Sequence, residues 1–342
     1  MTESIQKKRI EWVDIAKGIA IVLVCLGHRN IPGWLLKWIY SFHMPVFFFL
    51  AGYTTRYSSY KDWGDFLKRK TRGLIIPYLS LGLVYILVEF IWALLYKKTI
   101  PTSVGGILLW FAPYFRKLFL GRGIGSSWFI VALLVVEFIA YGLSFVPRYK
   151  YLLTALLGVL GFWLNSILTG QLLWNINTAM VGLIFFEAAQ ATKENIERII
   201  KDRFLIWPII CVSLLINIFC TVFNSTVDMF YLSYGNKLLF LAGAFSGISF
   251  FIFVSVMLQK TTAVKRVLIY YGCNTFPIIE FHYAQGYMIT ETLFWKLFKL
   301  QYGKNALSGN VEGFIHVIAV LILLVPVIEF FNRFAPWMVG KR

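Results

Sequence analysis

The chain has 342 residues, of which 59% are hydrophobic, 18% aromatic and only 14% charged, with a mean hydropathy of +0.71. So little charge excludes an ordinary soluble domain, and apolar runs of about 17–25 residues recur along the chain, which predicts an all-α, polytopic transmembrane bundle. The net charge of +17 does not point to nucleic acid, because the basic residues fall mainly in short loops between apolar runs, where they set topology.

In chain order, hydropathy predicts ten spans, at roughly 12–28, 38–57, 73–96, 127–146, 151–168, 172–190, 204–224, 238–258, 267–290 and 311–331. The leftover apolar stretch 104–120 contains WFAPYFRKLF and is expected to be re-entrant or to lie on the surface. With the N-terminus in the cytoplasm, basic residues inside outnumber those outside by about two to one, so both termini are expected there. Lys7, Lys8 and Arg9 count on that side; Lys17 and Arg56 fall within spans. The first thirty residues resemble a signal peptide only superficially, because Asp14 and Lys17 interrupt the apolar run and no small-x-small cleavage site follows. A single integral-membrane domain over 1–342 is expected, with no fused soluble domain. Cys25, Cys211, Cys220 and Cys273 lie in predicted spans without ligand spacing, so they read as packing residues, and no metal site is expected.

The first span, DIAKGIAIVLVCLGH, carries three ionisable groups. Lys17 and His28 are 11 residues apart, which on an α-helix puts them on one face about 16 Å apart. Asp14 precedes Lys17 by three residues, close enough to neighbour it. Each buried charge costs about 2.5–3.5 kcal/mol. The pair could serve as a headgroup-level anchor, or the stripe could form the wall of a substrate path. YSFHMPVFFFLAGY follows, and its His43 falls at the same depth as His28, with Pro45 loosening the helix nearby. The loop DFLKRKTRGLIIPYL is the densest basic cluster, with Lys68, Arg69, Lys70 and Arg72. It can be read as topology-setting charge attracted to anionic lipid or as a phosphate clamp. GIGSSWF places Ser127 and Trp128 at the mouth of the fourth span, with Glu137 in its middle. The ninth, GCNTFPIIEFHYAQGY, holds Asn274, Glu280 and His282 at membrane depth around Pro277, a costly arrangement unless it faces a cavity. His316 in the last span reads as packing.

Taken together, DIAKGIAIVLVCLGH, FHMPVFFFLAGY, KRKTRGLIIPY, SSWFI and GCNTFPIIEFH resemble acyltransferase family 3, the bacterial membrane O-acyltransferases that modify surface polysaccharides. The resemblance covers essentially the whole chain. It implies a multi-pass protein of the bacterial cytoplasmic membrane that moves an acetyl group from cytoplasmic acetyl-CoA, a donor substrate and not a resident cofactor, to a sugar hydroxyl. The acceptor would be a cell-surface or lipid-linked polysaccharide such as a capsule or exopolysaccharide, with membrane lipid and other polysaccharide-assembly proteins as partners. By the same resemblance His28 stands at the essential histidine and Arg69 and Arg72 at the arginine pair of the acyl-CoA site, with Lys68 beside them. Lys17 stands where arginine is commoner, and lysine lacks the planar fork for bidentate contacts. His28 would act as general base or as an acyl carrier. Lys17 and Asp14 would line the way to it, and His43, Asn274 and His282 would orient groups or contact the oxyanion. A transporter of polysaccharide intermediates is the alternative, although no inverted repeat is visible. A haem protein with paired histidine ligands is a more distant one.

Overall fold

The computed structural model describes residues 9–97, 100, 103–298 and 309–341; Lys7 and Lys8 lie outside them. The described chain is all helical apart from one antiparallel bridge between Asp228 and Ser233. The helices are α1 (Glu11–Gly27), α2 (Gly33–Tyr40), α3 (His43–Thr54), α4 (Trp63–Lys70), α5 (Ile76–Trp92), α6 (Val104–Phe119), α7 (Trp128–Leu143) and α8 (Lys150–Ile167). They continue as α9 (Ile176–Lys201), α10 (Arg203–Phe223), α11 (Lys237–Leu258), α12 (Ala263–Gly272), α13 (Thr275–Phe281), α14 (Tyr287–Phe298) and α15 (Gly309–Phe334).

Among the described residues, six helical stretches are long and apolar enough to cross a membrane: Gly33–Thr54, Trp63–Leu95, Lys150–Ile167, Arg203–Phe223, Lys237–Leu258 and Val311–Phe334. The expected count of ten is therefore corrected to six, and the protein is a polytopic membrane protein on those six. The physical reasons differ by segment. α1 has 17 residues and carries Glu11, Asp14 and Lys17. α7 has only 16. α9 is long enough at 26, but its last third holds Lys193, Glu194, Glu197, Arg198 and Lys201. The predicted span 267–290 is broken into α12, α13, a π-helical segment His282–Gly286 and α14. α6, at 16 residues with Pro113 inside, is not a span either, and it leaves Val104, Leu108, Leu109 and Phe119 exposed.

Local chemistry sets several of these ends. The Asp62 carboxylate caps α4 by accepting from Asp65 N–H, and Asn236 caps α11 by accepting from Leu238 and Leu239 N–H. The basic segment joins α4 to α5 through a π-helical turn, Thr71–Ile75, within the continuous stretch Trp63–Leu95, and Pro77 lies just past that turn.

α1 is the central strut, touching α3, α11, α12, α13 and α15. Its crossing with α12 depends on two glycines. A Cβ on Gly18 would overlap the Leu268 carbonyl, and one on Gly272 would overlap the Asp14 carbonyl. Small residues at that crossing let the two backbones touch, the packing mode available to helices that gain nothing from exclusion of water. α3 packs on α9, which also holds α7 and α8. With α1 so enclosed, its polar stripe faces protein.

Candidate active site

The helical register of α1 ends at Gly27, and His28 is its C-cap, its N–H donating to the Cys25 carbonyl while Arg29 N–H donates to that of Leu26. The imidazole lies 5.1 Å from the ring of His282 and 4.8 Å from that of Tyr283. His43 opens α3 and is buried, with Nδ1 2.9 Å from the Ile39 carbonyl. His282 opens the π-helical segment, with Nδ1 2.7 Å from the Ile278 carbonyl. A carbonyl only accepts, so Nδ1 is the donor in both rings and the neutral form of each carries its lone pair on Nε2. His28, His43, Tyr40, Trp128, Asp228 and Tyr283 line one cavity of about 280 Å³. The two histidines matched by depth in the sequence line the same cavity.

At the other end of α1 lies a basic cavity of about 390 Å³, with Lys17, Arg56, Arg69, Lys70 and Glu137 in its wall. It adjoins a third of about 340 Å³, which Lys17, Thr54 and Arg56 also line, together with Arg9, Asp14 and Lys193. Its cations are not equivalent. Lys70 Nζ is 2.7 Å from Glu137 Oε2, and Arg69 grips Asp65, one turn earlier, with Nη2–Oδ2 at 2.8 Å and Nε–Oδ1 at 3.0 Å. Asp14, expected beside Lys17, takes Arg9 as its ion-pair partner at 3.5 Å. Lys17 and Arg56 form no ion pair among the described residues.

Phe47, Phe129 and Ile279 belong to the walls of both the histidine cavity and the basic cavity. The two phenylalanine rings are 5.5 Å apart. The cavities therefore stand back to back across an apolar partition, with Lys17 in the wall of one and His28 in the wall of the other.

The remaining sequence candidates are placed as follows. Trp128 lines the histidine cavity, while Ser127 Oγ is occupied with its own turn, accepting from Ile124 N–H and donating to the Ile124 carbonyl. Asn274 stands at the N-cap position of α13 without a side-chain cap bond and is engaged elsewhere: its Nδ2 donates to the Tyr270 carbonyl, and its Oδ1 accepts from Asn332 and Lys341. Glu280 is fully buried, with neither carboxylate oxygen partnered among the described residues. Lys68 and Arg72 are exposed and line none of these cavities. His316 is buried, but its Nδ1 meets Arg29 Nη2 at 3.2 Å, so it does more than fill space. Sequence reasoning missed Arg56, Asp228, Tyr40 and Tyr283. Tyr40 was within reach, since it precedes His43 by one helical step; Asp228 arrives from a loop with no local signal. Among the described residues, no group of three or more His, Cys, Asp or Glu side chains gathers as metal ligands would.

A family model described as an acyltransferase domain matches residues 10–330, nearly the whole chain. The chain belongs to acyltransferase family 3. Comparison with curated proteins and with solved structures found no match. The family assignment and the apolar helices together make this a membrane acyltransferase. Each of the five motifs contributes residues to the walls of the paired cavities of this acyltransferase, while Ser127, Asn274, Glu280, His282 and the exposed Lys68 and Arg72 do not line them.

Proposed function

We propose that this acyltransferase moves an acetyl group from cytoplasmic acetyl-CoA to a sugar hydroxyl of a cell-surface or lipid-linked polysaccharide, with both termini and the basic cavity on the cytoplasmic side of the bacterial cell membrane. The observation that carries the reading is the pair of cavities sharing Phe47, Phe129 and Ile279, one basic and one lined by histidines. A donor with phosphates at one end and a thioester at the other matches that polarity.

Lys17 and Arg56, which line the basic cavity and form no ion pair among the described residues, would take the donor's anionic groups first. Arg69 would exchange Asp65 for phosphate, keeping its paired donors, and the exposed Lys68 and Arg72 would extend the basic surface beyond the rim. The pantetheine arm would then cross the partition and present the thioester to His28. His28 removes the acceptor's hydroxyl proton, the oxygen attacks the carbonyl, the carbon–sulfur bond breaks, and the proton passes to the departing thiolate. An acyl-histidine intermediate would divide the same balance into two steps. With their Nδ1 groups tied to carbonyls, His43 and His282 would keep fixed ring orientations beside it.

The test is the O-acetyl content of the host glycan, measured by mass spectrometry in a His28→Ala strain with membrane protein levels matched. Loss of about 10²-fold or more is expected. Normal acetylation in that strain would refute the role of His28.

A further inference from the structure

Residues 224–236, between α10 and α11, are held far more firmly than a connection requires. Asn224 Oδ1 accepts from the N–H groups of Ser225 (2.9 Å) and Asn236 (2.8 Å), and its Nδ2 donates to the Tyr234 carbonyl at 3.1 Å. Asp228 and Ser233 exchange both backbone hydrogen bonds, at 2.7 and 2.9 Å. From outside the loop, Gln171 Nε2 donates to the Phe230 carbonyl at 2.7 Å and Thr178 Oγ1 to that of Met229 at 3.3 Å. Gly235 turns the chain at φ +58°, where a Cβ would collide with the side chains of Asn224 and Ser225. The result is a stiff finger.

Its tip, Asp228 to Tyr231, forms one wall of the histidine cavity. Asp228 Oδ1 accepts from Phe230 N–H at 2.8 Å and Tyr231 N–H at 3.0 Å, which fixes the carboxylate in place. Its Oδ2 has no hydrogen-bond partner among the described residues. Around it in the same wall are the rings of Tyr40, Trp128 and Tyr231. Trp128 is braced by Phe230 at 5.6 Å, and Tyr231 is 76% exposed. A rigid oxygen acceptor among aromatic faces suits a ligand with hydroxyl donors on its edge and an apolar face, which is the surface of a pyranose ring.

We infer that this finger is the acceptor-recognition element: Asp228 Oδ2 accepts a hydrogen bond from a sugar hydroxyl that is not acylated, while Tyr231 and Trp128 cover a ring face. The reacting hydroxyl is thereby turned toward His28. This inference rests on the acyl-transfer reading above, and it adds Asp228 and Tyr231 as acceptor-binding residues that set which sugar is accepted.

The experiment uses detergent-solubilised full-length protein, radiolabelled acetyl-CoA and the host's surface polysaccharide deacetylated with base. Acceptor KM and donor KM are measured for wild type, Asp228→Asn and Tyr231→Ala. Asp228→Asn is expected to raise acceptor KM by about tenfold or more, the scale of a lost hydrogen bond to a charged group, and Tyr231→Ala by about threefold or more through the lost ring contact, with donor KM within about twofold of wild type for both. Tyr231 is mostly exposed, so its truncation keeps the test alive even if Asp228→Asn misfolds. Unchanged acceptor KM in the folded variants, or an equal rise in donor KM, overturns the inference. A wild-type protein that labels no glycan defeats the acyl-transfer reading itself, a different result from a variant-specific loss.

Discussion

Lys70 and Glu137 meet at 2.7 Å with side chains only 13% and 8% exposed. Removing the lysine would strand a carboxylate in low dielectric, at a cost of about 3–5 kcal/mol. Lys70→Ala should therefore lower the unfolding temperature of the solubilised protein markedly, and Lys70→Met combined with Glu137→Leu should recover most of it. A Lys70→Ala protein as stable as wild type would show that the pair does not hold the basic cavity together. Asp228 offers a pH test at the other cavity. Burial pushes its carboxyl above the usual aspartate range, against the pull of the Tyr231 and Phe230 N–H groups. A raised folded-state value means that the folded protein favours the protonated form, so its contribution to stability is full below the unfolded value and is lost as pH rises through the folded one. Acceptor binding has the opposite sign, because it needs the ionised carboxylate. Wild-type acceptor KM should climb on acidification from a pH above the ordinary aspartate value, near 3.9, and Asp228→Asn should lack that limb. His28, His43, Tyr40, Tyr231 and Tyr283 line the same cavity, so the ratio of the two KM profiles isolates Asp228; a constant ratio would count against its carboxylate. At this scale much was readable from sequence. The partner of Arg69 went unread, although Asp65 stands four residues earlier at helical spacing. Asn274 was not readable, because its amide is claimed by Asn332 and by Lys341, 67 residues away.

Among the elements, the segment predicted as a ninth span governs most of the site. Its breaks at Asn274 and at the π-helical turn put Ile279 in the partition and His282 against His28. Pro277 and the polar residues announced a broken helix; they did not announce where the pieces would point, which depends on packing against α1 and α15. The ten-span expectation failed for a related reason. Hydropathy averages over windows, so it cannot distinguish a helix that crosses lipid from a shorter, polar-striped one enclosed by neighbours, as α1 is. The partition gives this scale its prediction. Ile279→Trp should fill the wall and reduce acetyl transfer by about 10²-fold, while acetyl-CoA binding, followed by isothermal titration, stays near wild type. Transfer at the wild-type rate would mean that the donor arm does not pass between Phe47, Phe129 and Ile279.

For the whole molecule, the class was legible because composition is a bulk property: 59% hydrophobic with 14% charge leaves few alternatives to a membrane bundle. The back-to-back cavities were not, because they form where α1, α3, α7 and α13 converge, and pair contacts across hundreds of residues leave no local pattern. That arrangement implies a direction. On the proposed function, the donor would enter at the Lys17 side of the partition and the acceptor would meet His28 on the other side. Sealed vesicles of known sidedness test this most directly, with radiolabelled acetyl-CoA, which does not cross lipid, supplied outside. Label should reach the glycan only in vesicles whose Lys17 face is outward, and should vanish with His28→Ala. Equal labelling in both orientations, or labelling that survives the loss of His28, would contradict the account.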